Sequence, residues 1–78
     1  MRHRYRAFKE VCWSAVLGSY DTCGIVWEGE PDEVIHDVST DWELVQRLAE
    51  ACSRAQLDPV HLMDVVQDAV AEGRSPDF

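Results

Sequence analysis

Val38-Ser39-Thr40-Asp41-Trp42-Glu43 and Leu57-Asp58-Pro59-Val60-His61-Leu62 are two helix starts, and together they decide the fold. In the first, Thr40 reads as the N-cap with Glu43 three residues on. That is a capping box, in which each side chain satisfies a backbone N–H that the helix leaves unpaired. Leu44, Val45, Leu48, Ala49, Cys52 and Ala55 then recur at helical spacing and form one apolar stripe. Glu43 to Arg47 and Glu50 to Arg54 are i,i+4 pairs on the opposite, solvated face. In the second start, Asp58 is the N-cap and Pro59 takes the first helical position, where its missing N–H costs nothing. Leu57 can staple onto Leu62. The stripe Leu62, Val65, Val66, Ala69 and Val70 follows, flanked by Met63 and closed by Gly73. Only Gln56 and Leu57 separate the two, so an antiparallel helical hairpin over about 40–56 and 58–72 is expected, with a tail at 74–78.

Upstream, the period changes from helical to alternating. Tyr5, Ala7, Val11, Trp13, Ala15 and Leu17 fall on one face of a strand, with Arg4, Arg6, Glu10 and Ser14 on the other. Lys9 interrupts the apolar face, which suggests a bulge or a sheet edge. Gly18-Ser19 suits a tight turn into Tyr20–Trp27, whose two faces both carry apolar residues, as in a central strand. Glu28-Gly29-Glu30-Pro31-Asp32 is a loop, and Glu33–Val38 a short third strand. The expected fold class is α+β: a three-stranded antiparallel sheet over about 4–38 with the helical hairpin packed on one face, β-β-β-α-α. The whole of 1–78 reads as a single domain, at the small end of what folds without staples.

Charge is uneven. The net charge is −8, with Arg2, Arg4, Arg6 and Lys9 placing +4 in the first nine residues and leaving −12 for the rest. A nucleic-acid binder presents a basic face to release counterions, so nucleic acid is an unlikely partner outside the N-terminus. The acidic body suits solubility or a protein partner with a basic surface. Cys12, Cys23 and Cys52 lack the C-x-x-C spacing of a metal knuckle and fit reduced thiols, hence a cytoplasmic location. The basic start followed by Val11–Gly18 only weakly imitates a signal peptide, being interrupted by Lys9 and Glu10. No stretch approaches the ~20 apolar residues of a membrane span.

For chemistry the chain offers little. His61, Asp64 and Asp68 share one helical face, a spacing a divalent metal could use with His36 or Asp37 as a further donor; a solvated acidic face explains them as well. Cys52 with His61 and Asp64 would resemble a thiol nucleophile with its base, yet Cys52 lies in an apolar stripe. There is no phosphate-cradling glycine loop. Trp13, Trp27 and Trp42 exceed what so small a core encloses with ease, and one or two of them with Tyr20 suggest a patch for a partner or for a homo-oligomer. The expected function is a non-enzymatic interaction or regulatory module without a cofactor. The alternatives are a phage-type inhibitor or nucleic-acid mimic binding a basic groove, and a small metal-dependent protein using the His61/Asp64 face.

Tyr20 with Gly24-Ile25, then Ile35, Asp37, Val38, Ser39, Thr40 and Asp41, then Leu48 and Cys52, and finally Leu57, Pro59, Val60, His61, Leu62, Asp64, Val65 and Val66 form a recognisable series. Over about residues 20–68 it resembles a family of short bacterial proteins, mainly from Gram-positive anaerobes, that carry a domain of unknown function. The chain departs from that pattern at Ser53, where Asn is usual, and at Gln67, where an acidic residue is usual. The resemblance implies a bacterial cytoplasmic setting and the β-β-β-α-α order, and it assigns no activity.

Overall fold

The computed structural model describes residues 3–29 and 32–76. Glu30 and Pro31 of the expected loop, Arg2 of the basic start and residues 77–78 of the expected tail lie outside them. Three strands, β1 (Tyr5–Ser14), β2 (Gly18–Trp27) and β3 (Glu33–Ser39), form one antiparallel sheet in the order β1-β2-β3. They are followed by α1 (Trp42–Arg54), a single 3-10 turn (Pro59–His61) and α2 (Leu62–Glu72). The expected α+β class and element order are those observed.

Side chains alternate across a strand, so the odd residues of β1 and β2 face the helices. Tyr5, Cys23 and Ile25 from the sheet meet Val45, Leu48, Ala49 and Cys52 of α1 and Leu62, Val66 and Ala69 of α2 in one cluster. Ala55 and Val70, read as stripe residues, are exposed. β2 is buried on both sides from Thr22 to Val26, as a central strand must be.

Several local expectations are corrected. The N-cap of α1 is Asp41, whose side chain accepts from Leu44 N at 3.2 Å, and Ser39 Oγ accepts from Asp41 N at 3.1 Å. The Thr40/Glu43 box is therefore not formed; both residues could cap, and the path of β3 sets Asp41 at the helix mouth. Of the two readings of Lys9, the sheet edge holds and the bulge does not, since β1 is an edge strand. Lys9 pairs with Cys23 in unbroken register, and its Nζ lies 4.9 Å from the centroid of the Trp42 ring, a favourable seat for a cation. The first hairpin turns at Ala15–Leu17, with Ser14 paired to Gly18, rather than at Gly18-Ser19. Gly18 sits at φ +71°, the left-handed residue that closes a three-residue hairpin loop.

The ends of the helices are locked by backbone geometry. In α1, Leu57 N donates to Cys52 O and Gln56 N to Ser53 O, a Schellman turn with Gln56 at φ +51° where glycine is usual. The Gln56 side chain offsets that strain: its Nε2 donates to Ser53 O and to His3 O, while its Oε1 accepts from His3 N. Ser53 Oγ does the same for Tyr5, accepting from its N–H and donating to its carbonyl. The end of α1 thus stands in for a neighbouring strand along the first residues of the β1 edge. Asp58, the expected cap of the second helix, caps the 3-10 turn by accepting from Val60 N, and α2 follows from Leu62 and closes at Gly73, φ +72°.

Candidate functional site

Two parts of the molecule stand out: a polar network on the sheet face away from the helices, and the end of the β1–β2 hairpin. The network arises from a bulge. Cys23 pairs with Ser39 and Ile25 with Ile35, so Gly24 alone opposes His36, Asp37 and Val38. Asp37 takes φ +52°, a conformation uncommon outside glycine but better tolerated by Asp than by most. Four contacts hold it. Tyr20 OH donates to Asp37 Oδ2 at 2.5 Å and Thr22 Oγ1 to Oδ1 at 2.7 Å. From β1, Glu10 reaches over the central strand and accepts from Asp37 N and pairs with His36 Nδ1, both at 2.8 Å. Opposite the bulge there is no room for a side chain at Gly24, since a Cβ there would lie 2.4 Å from the Phe8 ring and 2.6 Å from the Ile35 carbonyl oxygen.

The electrostatics follow from these bonds. The hydroxyls of Tyr20 and then Thr22 hold the Asp37 carboxyl below its ordinary range. For Glu10, desolvation works upward, but the Asp37 N–H and the His36 ring together outweigh it and the carboxyl is lowered. The Tyr20 hydroxyl is pushed up to about 12, chiefly by its bond to Asp37. Each of these polar groups is committed to another, so the network fastens the bulge and leaves neither Tyr20 nor Asp37 free as a base or nucleophile.

The sequence-predicted residues do not gather. His61, Asp64 and Asp68 are exposed along α2, and His61 makes no side-chain cap bond. Among the described residues no group of three or more His, Cys, Asp or Glu is arranged to hold a metal ion. Cys52 is fully buried, and burial pushes its thiol up to about 11; exposed His61 and Asp64 are no partners for it. Trp42 is half-buried under Lys9, and Trp27 packs on the core, where its Nε1 finds no hydrogen-bond partner among the described residues. Tyr20 belongs to the network on the opposite face. The four aromatic residues therefore form no common patch.

Trp13 keeps different company. Val11, Trp13, Val16 and Leu17 are 68, 71, 92 and 70% exposed, all at the end of the hairpin. Val11 and Trp13 share the parity of Tyr5 and Ala7, but the core cluster on that side of β1 takes in Tyr5 and Ala7 and goes no further. Between this arm and the start of α1 lies a cleft of about 470 Å³, lined by Lys9, Val11, Asp21, Cys23, Thr40 and Trp42 among others. Ser14 Oγ accepts from Leu17 N at 2.9 Å and tightens the loop.

No described helix is long and apolar enough to cross a membrane. The fold and its bulge network define a small α+β domain, a β-meander covered on one side by two helices. The chain belongs to the Family of unknown function (DUF6514), whose model matches residues 24–72. That span runs from Gly24 through α2 and leaves β1 and the hairpin arm outside it. No curated protein and no solved structure matches the chain.

Proposed function

We propose that this chain is a non-enzymatic interaction module that binds another protein through its hairpin arm. The observation that carries the reading is the run of exposed Val11, Trp13, Val16 and Leu17 at one end of the molecule. Large apolar side chains left exposed together at one end of a small domain suit a contact site. Burying one such side chain contributes roughly 1.5–3 kcal/mol, so a few suffice for useful affinity once the rim is satisfied. The opposite face supports the same reading, because its polar groups are spent on fixing β3. The acidic stretch of α2, with Asp64, Asp68 and Glu72 exposed, favours a partner whose rim is basic and disfavours nucleic acid. Free Cys12, Cys23 and Cys52 support a reducing, cytoplasmic setting.

The test is comparative capture from the source cell with the wild-type chain and with a Trp13→Ser, Leu17→Ser variant. A protein retained by the first and lost by the second, at unchanged circular dichroism, is the expected result. Identical captures by both chains would defeat the proposal.

A further inference from the structure

The odd residues of β1 carry the backbone groups that point away from β2. Two observations establish this: Glu28 N donates to Arg4 O inside the ladder, whereas the N–H and C=O of His3 and Tyr5 bond outward to Gln56 and Ser53. By the same alternation Lys9, Val11 and Trp13 each present an outward donor and acceptor, and among the described residues nothing bonds to them. The other edge of the sheet is protected, since the bulge at Asp37 breaks the regular run of β3. β1 has no proline, no bulge and ten residues in unbroken register. It is an open edge with exposed apolar side chains beside it.

We infer that a second copy of this chain pairs antiparallel along β1, with Val11 on the two-fold axis, extending the two sheets into one. This rests on the proposed reading of the arm as a contact surface and goes beyond it, since the second copy, itself acidic, is distinct from the basic-rimmed protein proposed above. The register is chosen by side-chain chemistry. Centring on Lys9 would set Lys9 against its own copy, and centring on Glu10 would oppose two carboxylates, both unfavourable. Centring on Ala7 would need groups of Tyr5 that Ser53 already holds. Among the outward residues, centring on Cys12 would pair only Val11 and Trp13 of each copy within the strand, leaving Lys9 without a strand partner, whereas centring on Val11 also engages Lys9. With Val11 at the centre, Val11 meets Val11 of the second copy, Glu10 meets Cys12, and Lys9 meets Trp13. Lys9 then lies between Trp42 of its own chain and the indole of the other, on a face that already holds it 4.9 Å from Trp42. Each pair of outward residues exchanges N–H···O=C bonds, and the surface is self-complementary, as a two-fold contact requires.

The net charge of −8 on each copy opposes association, so added salt should strengthen the dimer. The decisive experiment is sedimentation of the purified full chain across the micromolar range, with Val11→Pro and Val11→Lys beside it. Proline at residue 11 removes only an outward N–H, which edge positions tolerate, and lysine places two like charges on the axis; the second variant serves if the first fails to fold. The expected result is a wild-type dimer and folded monomeric variants, with dissociation constants raised about tenfold or more. A wild-type chain that stays monomeric throughout overturns the inference, as do folded variants that dimerise unchanged. If the wild type is monomeric yet its capture of another protein still depends on Trp13 and Leu17, the self-pairing fails and the interaction reading survives.

Discussion

Tyr20 OH lies 2.5 Å from Asp37 Oδ2, and this bond ties the central strand to the left-handed residue of the bulge. It raises the Tyr20 ionisation to about 12, and burial first, with nearby negative charge, does the same for Tyr5. Both folded values lie above the ordinary 10.0. The stabilisation they supply is therefore complete below pH 10 and is lost as the pH rises towards 12. Ultraviolet titration of the folded chain should show no tyrosinate step near pH 10. In Asp37→Asn, one of the two tyrosines should return towards its ordinary value while Tyr5 stays high.

The acid side has the opposite sign. Glu10 and Asp37 are depressed below their ordinary 4.5 and 3.8, so what they contribute is present above those values and lost as the pH falls through the folded ones. Urea midpoints measured downward from neutral pH should decline through the carboxylate range. Glu10→Gln should flatten that decline, since it keeps the shape of the side chain and removes its charge.

Gly24→Ala should destabilise the chain by about 1–3 kcal/mol, the usual range for forcing atoms into filled space. A compensating Phe8→Ala should not restore stability, because the Ile35 carbonyl, 2.6 Å from the new Cβ, is backbone and cannot rotate away. Urea denaturation of the single and double variants checks both statements.

The two cap candidates before α1 can be separated by the same measurement. Asp41→Ala should cost about 1 kcal/mol, the typical loss for a working N-cap. Thr40→Ala, at an exposed residue without a cap bond, should stay within about 0.5 kcal/mol. The reverse order would reinstate the capping box.

What could be read from the residues depended on how far each interaction reaches. Asp58, Pro59 and Gly73 act on their own stretch of backbone, so the entry into the second helical segment and the end of α2 are legible, though not that its first turn is 3-10. Thr40 and Asp41 are both able to cap, and the choice is made by the bulge upstream, which alternation does not reveal. Val11 and Trp13 repeat the pattern of Tyr5 and Ala7 faithfully. That they are exposed reflects where the core stops along β1, a tertiary fact with no local mark. The network has no local mark for a similar reason: Glu10 acts two strands away, and Gly24 matters because the Phe8 ring and the Ile35 carbonyl crowd it. Of the residues singled out beforehand, Trp13 belongs to the proposed contact surface, while Tyr20 proved to be a brace.

The reach of the hairpin beyond the core has a consequence for how the molecule opens. Amides near the turn, from Val16 to Ser19, can exchange with solvent through fraying of the arm alone. Those of Cys23, Ile25 and Leu48, inside the core cluster, must wait for the whole domain to unfold. Two tiers of protection in a hydrogen-exchange experiment would then divide one chain into a frame and an appendage. Changes to the appendage leave the folding equilibrium nearly untouched, so its surface is free to vary while the frame that carries it stays the same.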